Sequence, residues 1–199
     1  IGANAFSYCL SLKSLTLPSA LTSIGNNAFL NCVSMESITL SEGITAISDN
    51  LFYGWNALKS VVVPASVTSI GVSAFADCTS LASVTFASGS QLKSIGDYAF
   101  KNTALTTFAF PEVVDGESNV VYITLGQKLF DGCTELKSVH LSKSVSSIDN
   151  VFVGCSAIGT ITVAEGNTFF VFTANGSMLT SPTGDGVRYI FDAGIDANG

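Results

Sequence analysis

Hydrophobic and polar residues alternate in a short segment that recurs along most of the chain. In residues 12–17, apolar Leu15 and Leu17 alternate with polar side chains, which predicts a strand with one buried face and one solvent face. The equivalent segments are 35–40, 58–63, 81–86, 105–110, 136–141 and 158–163. Because one unit recurs, we expect successive units to stack and their strands to form a single parallel sheet.

A phenylalanine recurs at a nearly fixed interval between the predicted strands. The seven positions are Phe6, Phe29, Phe52, Phe75, Phe100, Phe130 and Phe152. Their spacings of 23, 23, 23, 25, 30 and 22 residues are typical of a solenoid, and we expect the rings to stack as a core spine. The sequence thus predicts an array of about seven units of 22–30 residues over residues 1–165, the first of them truncated. Since the chain starts within a repeat, we expect it to be a piece of a longer protein.

The stretch around each phenylalanine predicts a bend and a compact turn. Ala28, Phe29 and Cys32 lie at helical spacing, so a short helical or 3₁₀ turn is expected there. Gly25 precedes this turn, and glycines recur at the matching positions 71, 96 and 126. A bend that needs permissive dihedral angles would explain these glycines.

The repeat pattern stops after residue 163. Apolar residues at 169–172, 178–179 and 187–191 are separated by glycine-containing turns, which predicts a β-hairpin or three-stranded cap on the last turn within residues 166–199. The sequence Asn-Gly-Ser at 175–177 also fits the pattern for N-glycosylation. The turn alone accounts for Asn-Gly at this place.

The charge balance argues against two classes of partner. The 199 residues include 15 acidic and 8 basic side chains, a net charge of −7, and Arg188 is the only arginine. Binding to nucleic acid or to an anionic membrane surface needs clustered lysine and arginine, which the sequence lacks. No apolar run reaches the ~18 residues that suggest a membrane-spanning helix.

The cysteines follow the repeat, because each stands three residues after a repeat phenylalanine. They are Cys9, Cys32, Cys78, Cys133 and Cys155, with Trp55 and Thr103 at the same place in the other two units. This pattern favours a row of buried free thiols. Neighbouring turns lie only about 5 Å apart, so stacked cysteines would also come within disulfide range.

The inventory of reactive side chains argues against an enzyme. His140 is the only histidine and has an outward strand position, whereas Cys133 belongs to the inward row, so a nucleophile and base pair is not predicted. The sequence contains no Cys-x-x-Cys, no paired histidines and no Asp-x-Asp-x-Asp loop. We therefore expect neither a metal nor a cofactor.

The outward strand positions are better candidates for function. In stacked units they give rows of small polar side chains, which a solenoid presents on one extended surface. The candidate binding face comprises Ser37, Thr39, Ser60, Val62, Ser83, Thr85, Thr107, Ser138 and His140. The alternative is that these side chains only keep the strand face soluble. Since the rows have few aromatic residues and no arginine, binding would be weak and would depend on avidity.

Two units are longer than the others. Residues 88–91 lengthen one, and residues 112–122 lengthen the next with two short apolar arms around an acidic turn, which predicts a protruding hairpin. The candidate binding residues of this hairpin are Val114, Asp115, Glu117 and Tyr122. Insertions in solenoids often lie on the binding face. A tolerated decoration is the alternative, because loop length costs little free energy.

Residues 12–32, with Leu-x-x-Leu-x-Leu-Pro followed by Leu-Thr-Ser-Ile-Gly-Asn-Asn-Ala-Phe-x-x-Cys, resemble the BspA-like, Treponema pallidum-type class of leucine-rich repeats. The resemblance extends over about residues 1–165. It implies a right-handed leucine-rich repeat solenoid with short 3₁₀, helical or strand segments opposite the sheet. It also implies a secreted or surface-anchored bacterial protein that adheres to host matrix proteins or other cells, and it implies no catalytic residues.

Two functions are compatible with these observations. The chain could be an extracellular adhesion module with a protein or glycan partner, or a structural spacer within a larger envelope protein with no ligand of its own. The residues identify neither the ligand nor the oligomeric state.

Overall fold

The computed structural model describes residues 1–172, 178–180 and 188–190, with side chains for residues 1–170. In this part the chain winds into a parallel-strand β-solenoid, as predicted. In chain order the strands are β1 Ala46–Ile47, β2 Ser60–Val63, β3 Ser69–Ile70, β4 Ser83–Phe86, β5 Ser94–Ile95, β6 Thr107–Ala109, β7 Thr124–Leu125, β8 Ser138–Leu141, β9 Thr160–Val163, β10 Val171–Phe172, β11 Met178–Thr180 and β12 Arg188–Ile190.

The longer strands of the repeat pair in parallel with the predicted alternation of burial. In β2, Val61 and Val63 are buried while Ser60 and Val62 are exposed. Strand β2 pairs with β4, and β6 pairs with β8, which pairs with β9. Each inward valine contributes about 1.5–3 kcal/mol through burial, so the alternation fixes which face of the strand turns inward.

The prediction of a single continuous sheet is wrong at two places. Hydrogen-bonded pairing stops between β4 and β6, where the two longer units adjoin. The Phe86 ring lies edge-on against Phe108, with 5.9 Å between centroids, where those strands separate. Segments 12–17 and 35–40 keep the alternating burial but are not paired strands. In these first units the bonds between turns are instead made around the phenylalanine, as in Phe6 N–H to Ala28 O at 2.7 Å.

A second, narrow parallel sheet runs along the solenoid. Its two-residue strands pair in the order β1, β3, β5, β7, and each residue pairs with one that lies 23, 25 or 30 positions further along the chain. The inward isoleucines Ile47, Ile70 and Ile95 are buried. The short-strand form of the return segment is therefore the one that this sequence adopts.

The predicted helical turn around each phenylalanine is wrong, because the described residues form successive β-turns and no helix there. Cys32 N–H closes one turn onto Phe29 O at 3.2 Å, while Asn31 N–H crosses to Tyr53 O of the next unit at 2.7 Å. A helix would use both donors within one segment. Alternating turns leave every second N–H free to link neighbouring units.

The predicted reason for the repeated glycines is also wrong. Gly25, Gly71, Gly96 and Gly126 are absent from the left-handed positions of the backbone. A Cβ atom on Gly71 would instead lie 2.6 Å from the Asp49 backbone nitrogen. The equivalent close approach occurs at all four glycines. Neighbouring turns touch at these places, so there is room for the hydrogen atom of glycine and no room for a side chain.

The phenylalanine spine is confirmed. Six successive pairs from Phe6 to Phe152 stack with ring centroids 5.2–6.3 Å apart and interplanar angles of 4–29°. The interior rings, Phe29 to Phe130, are fully buried. This continuous column is the centre of the core.

Beyond β9 the chain docks onto the last turn and then pairs antiparallel. Asn167 donates from Nδ2 to Ser142 O and Val145 O at 2.8 and 3.0 Å, and its Oδ1 accepts the Phe169 N–H at 2.8 Å. Strands β10, β11 and β12 follow in an antiparallel order, which is the three-stranded form of the predicted cap. The sequence Asn-Gly-Ser at 175–177 lies outside the described residues.

Candidate functional site

The candidate binding face lies on the solvent side of strands β2, β4, β6 and β8, with Ser37 and Thr39 in the unpaired segment 35–40. Register places Ser60 beside Ser83 and Val62 beside Thr85 in one pair of strands, and Thr107 beside Ser138 in the other. The residues that are exposed are Ser37, Thr39, Ser60, Val62, Ser83, Thr85 and Thr107, while Ser138 and His140 are half-buried. Val62 is the most apolar of them and is 61% exposed.

His140 stands at one end of this face. Its Nδ1 lies 2.9 Å from Thr162 Oγ1 on the neighbouring strand. Cys133 is fully buried, and its Sγ donates to Phe100 O at 3.0 Å. Desolvation raises the pKa of the Cys133 thiol, so the thiolate needed for nucleophilic attack is disfavoured. His140 therefore interacts with Thr162 and Cys133 with Phe100, and the two do not form a nucleophile and base pair.

The insertion forms a hairpin, as its pattern predicts. Val114 and Val120 make an antiparallel bridge, and Val121 N–H donates to Val113 O at 2.8 Å. Asp115 organises the tip, because its Oδ1 accepts the N–H groups of Glu117 and Asn119, both at 2.9 Å. The Asn119 side-chain amide, followed by these backbone donors, lowers the pKa of Asp115.

Two buried serines hold the base of the hairpin. Ser144 Oγ accepts Val113 N–H at 2.7 Å, and Ser142 Oγ donates to Pro111 O at 2.8 Å. Ser142 and Ser144 are 3% and 0% exposed, so they join the insertion to the core of the next turn. Sequence reasoning missed this link, since serine is frequent throughout the chain and nothing marks these two.

The hairpin presents apolar side chains outward. Val114 and Tyr122 are each 49% exposed, and Asp115 and Glu117 are exposed at the acidic tip. The Tyr122 ring meets Phe169 edge-on, with 5.1 Å between centroids. Tyr122 therefore faces the end of the array, while the tip stands in solvent.

A groove of about 420 Å³ lies where β4 and β6 separate, and residues 84–90 and 109–112 line it. It connects the two candidate sites, because Thr85 of the face and Glu112 at the hairpin base both lie in its wall. Glu112 is also 3.5 Å from Lys143 Nζ, an exposed ion pair of small energetic value. The only sequence signal for the groove was the change of repeat length from 23 to 25 and 30 residues.

All five cysteines are free, as the packing pattern favours. Four of them donate from Sγ to the carbonyl of the previous unit's phenylalanine, as in Cys78 to Phe52 O at 3.1 Å. Trp55 makes the equivalent bond from Nε1 to Phe29 O at 2.7 Å. In five units the residue three positions after the phenylalanine therefore donates a hydrogen bond to the previous unit, whereas Thr103 donates to Phe100 O of its own unit at 2.9 Å. Composition alone did not reveal this role.

Among the described residues, no three side chains that could ligate a metal lie together. No helix in the described ranges is long and apolar enough to cross a membrane.

The sequence matches the family model for the BspA type leucine rich repeat region in six copies, over residues 1–122 and 116–172. Among solved structures, a leucine-rich repeat protein from Eubacterium ventriosum is 28% identical, with a TM-score of 0.62 over 75% of this chain and 37% of that one. The pneumococcal vaccine antigen PcpA is 29% identical, with a TM-score of 0.53 over 84% of this chain and 34% of that one.

The chain therefore spans about a third of the length of each of these two proteins. No curated protein matches the sequence. The family match covers well over half of the chain and coincides with the stacked phenylalanine units. This chain belongs to the BspA-type leucine-rich repeat family.

Proposed function

We propose that this chain is a non-enzymatic binding module of a bacterial cell-surface protein, and that it holds a protein partner across the strand face, the groove and the hairpin. The observation that carries the proposal is the groove between β4 and β6, which joins Thr85 on the face to Glu112 at the hairpin base. Family membership supports a protein-interaction role, and the likeness to a pneumococcal vaccine antigen supports a surface location.

The chemistry of this surface favours a partner segment that supplies its own large side chains. The face offers hydroxyl groups and Val62, and the groove offers the Phe86 ring and Pro111. Most tight interfaces are anchored by buried aromatic residues and arginine, which the face itself lacks. A single module would bind weakly, and several copies on one cell would bind through avidity.

We also propose the division of the chain into an array at residues 1–165 and a cap with its tail at 166–199. The docking of Asn167 onto Ser142 and Val145 supports a cap that is fixed to the last turn. Removing residues 166–199 should expose that turn and lower the thermal midpoint of the array.

The test is binding of the purified chain, immobilised in many copies, to fibronectin, fibrinogen, laminin and collagen. We expect binding to at least one, reduced at least about tenfold by Thr85→Lys or Val62→Glu, since charge at the centre of an interface is costly. Thr134→Lys, at an exposed position outside the face, is the matched control. Binding that survives both face substitutions would refute the proposed surface.

The structural spacer is the other candidate function. The regular stacking of the phenylalanines favours it, because a continuous spine makes a stiff element whether or not a ligand exists. A full-length protein that binds none of the four matrix proteins, even when multivalent, would favour the spacer.

A further inference from the structure

A second surface, formed by the β-turns on either side of the phenylalanines, carries a depression of about 360 Å³ that lies away from the strand face. Tyr53 and Tyr98 line it, together with Asp77, Lys101 and Asn102. These residues come from three successive units, so no single repeat in the sequence contains the set. We call this depression the tyrosine site.

The polar groups of the tyrosine site are fixed by one another. Asn102 Nδ2 donates to Asp77 Oδ1 at 2.8 Å, and the Tyr53 hydroxyl lies near the same carboxylate. The interaction with Asp77, followed by burial, raises the pKa of Tyr53, so the phenol stays a neutral donor. The carboxylate is held by neutral donors and keeps further acceptor capacity toward the depression.

The residues that line the site include one carboxylate, Asp77, and one ammonium group, Lys101. Lys101 Nζ lies 3.2 Å from Asp131 and 5.4 Å from the centroid of the Tyr98 ring. An anionic ligand would meet Asp77, and a cationic ligand would meet Lys101, which already covers one side of Tyr98. The lining therefore favours a ligand that is neutral and rich in groups that both donate and accept hydrogen bonds.

The backbone gives a second, independent observation. The residues two before and two after each repeat phenylalanine have positive φ in all seven units, and most of these fourteen positions hold asparagine or glycine. The other five hold Tyr8, Ser73, Asp77, Tyr98 and Lys128, and the two tyrosines, at φ 59° and 57°, have the largest side chains among them. A large side chain in this conformation costs stability, and such residues concentrate where a protein binds something.

Tyr8 extends the aromatic surface. It is 62% exposed and lies close enough to Tyr53 to affect its ionisation. Tyr8, Tyr53 and Tyr98 belong to units one, three and five, so successive rings are about 10 Å apart along the solenoid axis, at about 5 Å per turn. This spacing suits an elongated ligand built from rings.

We propose that the tyrosine site binds a neutral oligosaccharide, whose sugar rings stack on Tyr53 and Tyr98 while Asp77 and Asn102 bond its hydroxyls. Sugar rings have apolar C–H faces that pack on aromatic rings, and each hydroxyl can donate to a carboxylate or accept from an amide. A shallow depression with a few placed polar groups provides orientation without enclosing the ligand. The inference does not rest on the proposed function, because it uses a different face.

The repeat itself supplies variants that remove the rings and keep the fold. Tyr98→Asn installs the residue found at the equivalent positions Asn27 and Asn50, and Tyr53→Leu installs that of Leu30. Since asparagine is favoured at positive φ, Tyr98→Asn should unfold at the same temperature as the parent or higher. Any loss of binding in this variant is then a loss of the ring.

The experiment is saturation-transfer NMR and calorimetric titration of the intact chain with cellohexaose, xylohexaose, chitohexaose and lacto-N-tetraose. We expect at least one to bind with a Kd on the order of 0.1–1 mM. Tyr98→Asn and Tyr53→Leu should each weaken it at least about tenfold, whereas Tyr98→Phe, which keeps the ring face, should stay within about threefold.

Several outcomes would overturn the inference. One is no saturation transfer from the protein to any of the four sugars at millimolar concentration. Another is binding that Thr85→Lys abolishes and Tyr98→Asn leaves unchanged, which would move the sugar to the strand face and leave the proposed function intact. A third is tighter binding of tetramethylammonium, lost in Asp77→Asn, which would make the depression a cation site.

Discussion

At the scale of single residues, this fold depends on conformation as much as on hydrophobicity. Every unit needs left-handed backbone two residues before and two after its phenylalanine. Asn4, Asn27, Asn50 and Asn150 occupy the first of these places in four of the seven units. Asparagine tolerates this region, which explains why the chain combines an apolar core with many asparagines at its turns.

Substitution of Asn27 tests the conformational requirement. Asn27→Ala should lower the free energy of unfolding by about 1 kcal/mol, because alanine resists φ near +57°. Asn27→Gly should be nearly neutral, since glycine adopts that conformation without steric cost. Urea unfolding of the two variants measures the difference, and equal losses would show that the asparagine side chain matters and its backbone angle does not.

The cysteines make stability depend on pH at the alkaline end. Burial raises the pKa of Cys78 from 9.0 to about 12, so the folded state holds this proton more tightly than the unfolded state. The resulting stabilisation is complete below pH 9.0 and is lost as pH rises toward about 12. Urea unfolding at about pH 8 and about pH 10.5 should show the loss.

Cys78→Ser is the matched control for that titration. Serine can still donate to Phe52 O but does not ionise in this range, so the variant should lose less stability between the two pH values than the parent. An identical loss in parent and variant would assign the alkaline transition to other groups. In the native state at neutral pH, the buried thiols should also react slowly with thiol reagents.

At the scale of elements, the turns around each phenylalanine link neighbouring units by hydrogen bonds, as the strands do. Turn N–H groups cross to the next unit throughout the array, from Phe6 N–H to Ala28 O in the first unit to Gly132 N–H to Val153 O near the end. Strand pairing between β4 and β6 can therefore be interrupted while the units continue to stack. The break costs strand bonds and creates the groove.

Close contact between turns makes substitution of the repeated glycines 25, 71, 96 and 126 costly. Gly71→Ala should cost about 1–3 kcal/mol, because its Cβ would lie 2.6 Å from the Asp49 nitrogen and backbone would have to move. Gly159→Ala is the matched control, since nothing lies within 4 Å of the added atom. Thermal unfolding that ranks the two equally would contradict the close approach as the reason for glycine.

At the scale of the whole molecule, stability is shared between neighbouring units. Each interior phenylalanine stacks on one ring before it and one after it, so the array behaves as a one-dimensional chain of contacts. The hairpin belongs to this chain, because Ser142 and Ser144 of the following unit hold its base. An interior defect should therefore weaken the coupling on both of its sides.

Truncation of two rings separates interior from terminal positions. Phe75→Ala should cost about 3–5 kcal/mol, since the ring is fully buried between Phe52 and Phe100. Phe6→Ala should cost clearly less, because Phe6 is only half-buried and stacks on one side. Chemical denaturation of the two variants gives the ranking, and a larger cost at Phe6 would contradict a core centred on the interior spine.

The sequence by itself determined the repeat, the solenoid, the stacked phenylalanines and the outward rows of the strands. A period of about 23 residues with strict alternation leaves few other ways to bury Phe75, Cys78 and Leu81 together. The acidic turn of the hairpin could also be predicted from the sequence, because Asp115 and Gly116 are residues that favour turns. These features depend on neighbours in the chain or on the period.

Only the tertiary structure decided what happens between units. The turn conformation, the contact at Gly71 and the lapse between β4 and β6 each depend on atoms at least 22 residues apart, whose approach no local pattern encodes. The same holds for the tyrosine site, where Tyr53, Asp77 and Tyr98 meet across three turns. Local preference and burial select the shape of one unit, whereas the stacking of units creates the surfaces on which a ligand could bind.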